Sequence, residues 1–341
     1  MGTFRYIILP VAVMCLTRAT IAQAPDWVWA RNAGSVSNDY SNAVCTDADG
    51  NVYMTGTFQG STITFGSHVL QNTSEGFLDI FVVKYDPQGS VIWARSDGGT
   101  KSDYAYGICV DLEGNVFITG YFSSPSLEIG NSILANMSTI LNGPNAFIAK
   151  YDHNGNAQWG RSGESEEAAY SYGIGSDASG NVYITGSWNG DSISFGDQTL
   201  QNPGASYSYD MFLVKYDTDG TLQWADRMGG FQTDGSRGLH VDPYGNVYVT
   251  GFFEDSATFG NTTLVSTNTG GYMEIFVAKY DGNGNNVWAN YALVPYVGNY
   301  ASGTGITTDT LGDVYITGYF QYSLSFGNDT FANAGNYGLF L

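Results

Sequence analysis

The chain has 341 residues, 45 of them Gly, and its 32 acidic and 12 basic side chains give a formal net charge of −20. It is 43% hydrophobic, 15% aromatic and only 13% charged, a composition that favours short strands and tight turns and excludes general disorder. The acidic excess argues against binding to nucleic acid or to anionic membrane surfaces, because both would be repelled.

Residues 1–22 are predicted to be a signal peptide. Arg5 precedes an apolar run from Tyr6 to Leu16 that is too short to cross a bilayer, and small residues follow up to Ala22. Cleavage there would leave residues 23–341 as one repeat domain and would move the formal charge from −20 to −22, since two basic residues are lost. We therefore expect a secreted protein, extracellular or at the cell surface, with the periplasm as an alternative location and no membrane insertion.

One unit then recurs five times with a period of about 65 residues. Its first landmark, D-x-x-G-N-V-Y-x-T-G with small variations, begins at Asp47, Asp111, Asp177, Asp242 and Asp309. An F-G step follows, at Phe65, Phe195, Phe259 and Phe326, with Ile129 as the variant. Next comes F-x-x-K-Y-D-x-x-G, at Phe81, Phe147, Phe212 and Phe276. The last landmark is a Trp, at Trp29, Trp93, Trp159, Trp224 and Trp288.

Each unit predicts four strands, A to D, with A before the first Asp, B at V-Y-x-T-G, C at F-x-x-K-Y and D at the Trp. Four-stranded units that pack on both faces and repeat radially form a β-propeller. We predict five blades, with the N-terminal Trp29 strand supplying strand D of the last blade and so closing the ring. The alternative is a fragment of a larger propeller, for example one of seven blades.

These motifs, and the segment from Asp79 to Arg95, resemble the SBBP family of bacterial β-propeller repeats over nearly the whole predicted mature chain. The family name implies seven blades, whereas this sequence contains five units. The resemblance implies a secreted or surface protein of bacteria, and it brings no catalytic residues with it.

The repeated Asp of each D-x-x-G motif is predicted to close a hairpin turn, with Gly in the left-handed conformation. Calcium is the alternative, since Asp47-x-Asp49-x-Asn51 and Asp281-x-Asn283-x-Asn285 are rich in oxygen ligands, but neither continues as an EF-hand loop. We expect no cofactor and no metal.

Nothing in the sequence assembles a catalytic group, so we expect no enzymatic activity. The alternative is an extracellular glycoside hydrolase or lyase that uses a carboxylate pair. Its candidate residues would be Glu164, Glu166 and Glu167 in one D–A loop, with Asp39, Asp103 and Asp234 in equivalent loops.

The D–A and B–C connections are long and variable and lie on one face of the predicted propeller, so we expect ligand binding there. The candidate residues are Tyr40, Tyr104, Tyr106, Tyr170, Tyr172, Trp188, Arg237 and His240. Aromatic rings suit stacking on sugars and packing at protein interfaces. We therefore predict a monomeric binding or scaffold module for a glycan or an extracellular protein, with a structural repeat of a larger surface adhesin as the other alternative.

Overall fold

The computed structural model describes residues 28–204, 208–266, 273–294, 300–333 and 336–341. The predicted signal peptide lies outside these residues. Among them, no helix is long and apolar enough to cross a membrane.

The described residues form 29 strands, which fall into five successive groups with the same internal order. The first group is β1 (Asp39–Thr46), β2 (Val52–Phe58), β3 (Thr62–Phe65), β4 (His68–Gln71), β5 (Asp79–Tyr85) and β6 (Val91–Asp97). The second is β7 (Asp103–Val110), β8 (Val116–Phe122), β9 (Ser126–Ile129), β10 (Ser132–Ala135), β11 (Asn145–Tyr151) and β12 (Ala157–Ser165). The third is β13 (Ala169–Ser176), β14 (Val182–Trp188), β15 (Ser192–Phe195), β16 (Gln198–Gln201), β17 (Asp210–Tyr216) and β18 (Leu222–Gly229).

The fourth group is β19 (Gly235–Val241), β20 (Val247–Glu254), β21 (Ser256–Phe259), β22 (Thr262–Val265), β23 (Met273–Tyr280) and β24 (Asn286–Ala292). The fifth is β25 (Ala301–Thr308), β26 (Val314–Phe320), β27 (Ser323–Phe326), β28 (Asp329–Ala332) and β29 (Gly338–Phe340). Each group is one blade, and the predicted all-β, five-bladed propeller arrangement is confirmed.

Within a blade, strands A, B, C and D pair antiparallel in chain order, as in β1-β2-β5-β6 and β19-β20-β23-β24. Strands A of neighbouring blades contact one another, from β1 to β7, then to β13, β19 and β25. Strands β5 and β11 are buried along their whole length. Strand C is therefore sandwiched between neighbouring sheets, which explains why it is apolar on both faces.

The connection between strands B and C, predicted to be a long loop, instead contains a two-stranded hairpin. The F-G step closes it, and its Gly has positive φ, for example 58° at Gly66 and 59° at Gly196. In blades 3 and 4 this hairpin also pairs with strand D of the preceding blade, β15 with β12 and β21 with β18. The variable connections are thus partly ordered and link adjacent blades.

The repeated Trp of strand D joins each blade to the next one. The Trp93 indole N–H donates to the His153 carbonyl at 3.1 Å, and the Trp159 indole N–H donates to the Thr218 carbonyl at 3.1 Å. Each of these rings covers the Gly of the C–D turn in the following blade, so that a Cβ on Gly155 or Gly220 would collide with it. The Trp motif is therefore an element of blade packing.

The predicted closing of the last blade by the N-terminal strand is not found among the described residues. Trp29 donates to the Pro87 carbonyl in the C–D turn of blade 1, which is the contact that the strand D Trp of a preceding blade makes, while the last sheet has three strands among the described residues, β25-β26-β29. In the other blades, the strand D Trp pairs with the Lys of K-Y-D, as Trp93 does with Lys84.

Candidate ligand-binding surface

The hairpin turns of the A–B and C–D connections, which we call the turn face, use their Asp side chains internally. In blade 3 Asp177 Oδ1 accepts from the amides of Ser179 and Asn181, at 2.9 and 3.0 Å. Its Oδ2 accepts from the Asn181 side chain and from the Tyr183 hydroxyl. Asp47 makes the same set of contacts in blade 1. The predicted turn role is confirmed, and these carboxylates already have their acceptor positions filled by donors.

Two of the carboxylates considered for hydrolysis are buried at the start of strand A. Asp103 accepts from the Ser124 amide and hydroxyl at 3.1 and 2.8 Å, and burial raises the pKa of Asp103 to about 7. Asp234 accepts from the amides of Gly230 and Glu254 at 2.6 and 3.0 Å, and burial raises its pKa well above the ordinary value. Both carboxyl groups hold loop backbone in place.

Six tyrosines of blades 2 and 3 form a continuous cluster at the end of the propeller where the D–A and B–C connections lie. We call it the tyrosine surface, and it consists of Tyr104, Tyr106, Tyr121, Tyr170, Tyr172 and Tyr209. Its ring centroids lie 4.7–6.3 Å apart, and two pairs are stacked nearly parallel, Tyr104 with Tyr106 and Tyr170 with Tyr172. All six side chains are partly exposed.

A β-bulge in strand A places three of the candidate residues. In every blade the A–B register shifts by one residue, and the extra residue in blades 2, 3 and 4 is Tyr106, Tyr172 and Arg237. A bulge leaves its residue unpaired and re-aims the side chain. Because neighbouring strands A are in contact, these side chains meet: Tyr106 and Tyr172 centroids are 5.4 Å apart, and the Arg237 guanidinium lies 4.2 Å from the Tyr172 ring. The bulge thus forms a row across three blades.

Two cavities open beside the tyrosine surface and share Tyr170. One of about 430 Å³ is lined by Tyr170, Tyr172, Tyr209, Asp234 and Arg237 among others. The other, of about 300 Å³, includes Tyr104, Tyr121 and Lys101 in its lining. The Lys101 ammonium lies 5.2 Å from the Phe77 ring. Each cavity therefore combines several tyrosines with one cation.

The hydroxyls of Tyr106, Tyr121, Tyr170 and Tyr209 stay protonated at neutral pH. Burial, followed by the charge of neighbouring tyrosines, raises the pKa of Tyr170 to about 12 and raises the pKa of Tyr121 further. Neutral hydroxyls both donate and accept hydrogen bonds. The surface can therefore stack on a ligand and hydrogen-bond to it at once.

Residues 97–121 match the family described as beta-propeller repeat, SBBP. One segment of the chain is thus similar to the SBBP repeat. The match covers strand β7 and most of β8, and so includes three members of the tyrosine surface, Tyr104, Tyr106 and Tyr121. The resemblance predicted from the sequence is thereby confirmed.

Two curated proteins are similar to part of the chain. An uncharacterized WD repeat-containing protein, L264, from Acanthamoeba polyphaga mimivirus is 31% identical over 189 residues, which is 51% of this chain and 13% of that protein. The regulatory protein FlaEY from Caulobacter vibrioides is 28% identical over 189 residues, which is 52% of this chain and 18% of that protein. The chain thus spans less than a fifth of the length of either relative.

The blades bring together five of the eight residues predicted for the binding face, namely Tyr104, Tyr106, Tyr170, Tyr172 and Arg237. Tyr40 is 53% exposed in blade 1, but lines neither cavity. His240 contacts Thr308 of blade 5, with His240 Nε2 and Thr308 Oγ1 3.1 Å apart, and it also lines neither cavity.

Trp188 was predicted for this face and is instead fully buried, packed against Phe212 in the core between blades. The last residue of strand B points into the blade interface, where Phe58 and Phe122 lie in blades 1 and 2. The sequence places Trp188 in the loop after strand B, whereas in the structure it is the last residue of that strand.

Sequence reasoning omitted Tyr121 and Lys101 from the site. Tyr121 takes the place of Thr57, Ser187 and Phe252 of blades 1, 3 and 4, which are buried, and matches the exposed Tyr319 of blade 5. It pairs across the sheet with Tyr104. Lys101, like Arg237, departs from the positions at which the repeat places its cations. Departure from the repeat was the signal that could have identified Lys101, and for Tyr121 the signal was its difference from blades 1, 3 and 4.

Proposed function

We propose that the chain is an exported, non-enzymatic binding module that holds a saccharide on its tyrosine surface. The observation that carries the proposal is that five of the six partly exposed tyrosines of this surface line two adjacent cavities. Flat rings beside neutral hydroxyls suit the mixed apolar and polar faces of a sugar ring.

The size of the cavities favours a saccharide over a protein. Their volumes, about 300 and 430 Å³, fall at the lower end of the roughly 300–1,000 Å³ typical of small-ligand sites. A stable protein partner would need about 800 Å² of surface on each side. The aromatic residues are concentrated around two concave spaces rather than spread over such an area.

Retention on immobilised polysaccharides tests the proposal. The wild-type chain should be retained by at least one polysaccharide, and Tyr170→Ala with Tyr172→Ala should abolish retention, because both cavities lose their shared wall. Tyr40→Ala is the matched control, since Tyr40 starts strand A of blade 1 outside the surface, and it should leave retention unchanged. Retention that survives the double substitution would contradict the proposal.

The same assay distinguishes the alternatives. Soluble products released from the polysaccharide, and lost in Asp234→Asn, would support the glycosidase. If the wild-type chain bound no saccharide but bound an extracellular protein through the same tyrosines, the ligand would be a protein.

A further inference from the structure

We infer that the saccharide bound by the tyrosine surface carries a carboxylate, as in a hexuronate, and that Arg237 binds it. The inference rests on the proposed function and adds the chemical class of the ligand. It depends on the one arginine among the described residues that the fold itself does not engage through a hydrogen bond.

The other described arginines donate hydrogen bonds within the protein. Arg31, Arg95 and Arg161 each donate from Nε to a carbonyl in the C–D turn of a blade, all at 2.8 Å. Arg227 pairs with Asp210 at 2.9 Å. These side chains serve blade packing.

Arg237 differs from all of them. In the described part of the chain its guanidinium has no hydrogen-bond acceptor and no ion pair, and its protein contact is the face of Tyr172 at 4.2 Å. Stacking on a ring holds a guanidinium in place and leaves its N–H donors available for a ligand. A planar carboxylate is the group that such donors bind best, through two parallel hydrogen bonds.

Among the described residues, no carboxylate forms an ion pair with Arg237 within its cavity. Asp234 lines the same cavity, but it is fully buried, and its two oxygens accept from backbone amides of Gly230 and Glu254. The remaining lining residues of that cavity are uncharged. The cavity therefore offers a positive site in a chain whose formal charge is −20.

That overall charge also limits the length of the ligand. A long polyanion would be repelled by the acidic chain, whereas charges beyond about 8 Å are largely screened at physiological ionic strength. Lys101 lines the neighbouring cavity on the other side of Tyr170. A short oligosaccharide lying across Tyr170 would place one acidic sugar beside Arg237 and leave room for another near Lys101.

The test compares matched acidic and neutral sugars. Trigalacturonate and trimannuronate would be titrated calorimetrically into the wild-type chain, with the galactose and mannose trimers as neutral counterparts. We expect at least one uronate trimer to bind ten times or more tighter than its counterpart. Arg237→Gln should remove this preference. Arg237→Lys keeps the charge but loses the planar guanidinium with its paired N–H donors, so it should retain only part of the preference. Lys101→Gln, the matched cation outside this cavity, should reduce the preference less.

The outcomes separate this inference from the proposed function. Equal binding of acidic and neutral trimers that Arg237→Gln leaves unchanged would overturn the inference, while tyrosine-dependent binding would still support the module. If no saccharide, acidic or neutral, bound in a manner sensitive to Tyr170→Ala, both would fail. Unchanged uronate preference in Arg237→Gln would overturn the assignment to Arg237 in either case.

Discussion

The turn face and the tyrosine surface lie at opposite ends of the same strands and use their polar residues in opposite ways. On the turn face Asp47 and Asp177 repeat one set of hydrogen bonds, which satisfies their carboxylates internally. On and beside the tyrosine surface, the bulge residue of strand A changes from Tyr106 to Tyr172 to Arg237, and the Arg237 donors have no protein acceptor among the described residues. The turn Asp that repeats in each blade therefore serves the fold, whereas the bulge residue that differs between blades lies at the candidate site.

The largest stability effect should come from the repeated contact between strand D and the following turn. Trp159→Ala should lower the free energy of unfolding by about 3–5 kcal/mol, because it empties a buried site over Gly220. Trp288 is the matched control, since it is 36% exposed and has no such turn partner in the described residues. Urea denaturation of the two Ala variants should show less than half the loss for Trp288→Ala. Equal losses would contradict the role assigned to the turn.

The next effect concerns the buried carboxyl groups, and it depends on pH. Burial raises the folded-state pKa of Asp103 to about 7 and of Asp210 to about 6. The folded protein thus keeps protons that the unfolded chain releases above about pH 4, so stability should fall as the pH rises from 4 to 7. We expect a loss of about 2 kcal/mol or more between pH 5 and pH 8, measured by urea denaturation. A stability that rose with pH would contradict this assignment.

A neighbouring blade supplies the control for the pH effect. Asp79 is fully buried, and its Oδ1 has no hydrogen-bond partner, whereas the equivalent Asn145 donates to the Ser165 carbonyl at 2.9 Å. Burial raises the pKa of Asp79. Asp79→Asn should therefore stabilise the chain at pH 8 by about 1–3 kcal/mol and reduce the dependence on pH. A destabilised variant at pH 8 would show that the charge of Asp79 is needed for folding.

A turn substitution should affect stability without affecting the ligand. Asp177→Ala removes the acceptor of four hydrogen bonds and should lower the free energy of unfolding by about 1–3 kcal/mol. Saccharide binding should stay within about twofold of wild type, because the turn lies at the other end of the strands. Calorimetry and denaturation on the same sample measure both, and a large loss of binding at constant folded fraction would break the comparison.

The smallest expected effect is the converse one, on the tyrosine surface. Tyr172→Leu keeps apolar bulk beside Arg237 but removes the ring face, a contact worth about 1 kcal/mol in partly exposed sites. Binding of an acidic trimer should weaken several-fold while the urea midpoint moves little. If the midpoint fell as far as in Trp159→Ala, the row of bulge residues would be a packing element rather than a site.

Much of the fold could be predicted because its determinants are local. The Asp and Gly of each D-x-x-G motif close turns that place strands A to D in order, and the Trp marks strand D. The four-residue hairpins between B and C were missed, since β15 and β21 gain further partners only from strand D of the preceding blade. The last sheet has three strands among the described residues, β25-β26-β29, and Trp29 lies on the C–D turn of blade 1.

The candidate surface was predicted in part, since the structure brings five of the eight named residues together at one end of the strands. Tyr104 and Tyr170 were identified from their loops, but Trp188 was misplaced because burial depends on which neighbouring sheet covers it. Tyr121 was missed because the same position is buried in other blades, at Thr57 for example.

By itself, the sequence determined the repeat, its strand order and its turn chemistry, since each depends on residues close together in the chain. Only the tertiary structure decided which departures from the repeat meet. Tyr106, Tyr172 and Arg237 are each about 65 residues apart in sequence, and only the contact between neighbouring inner strands, with one bulge in each, makes them neighbours in space.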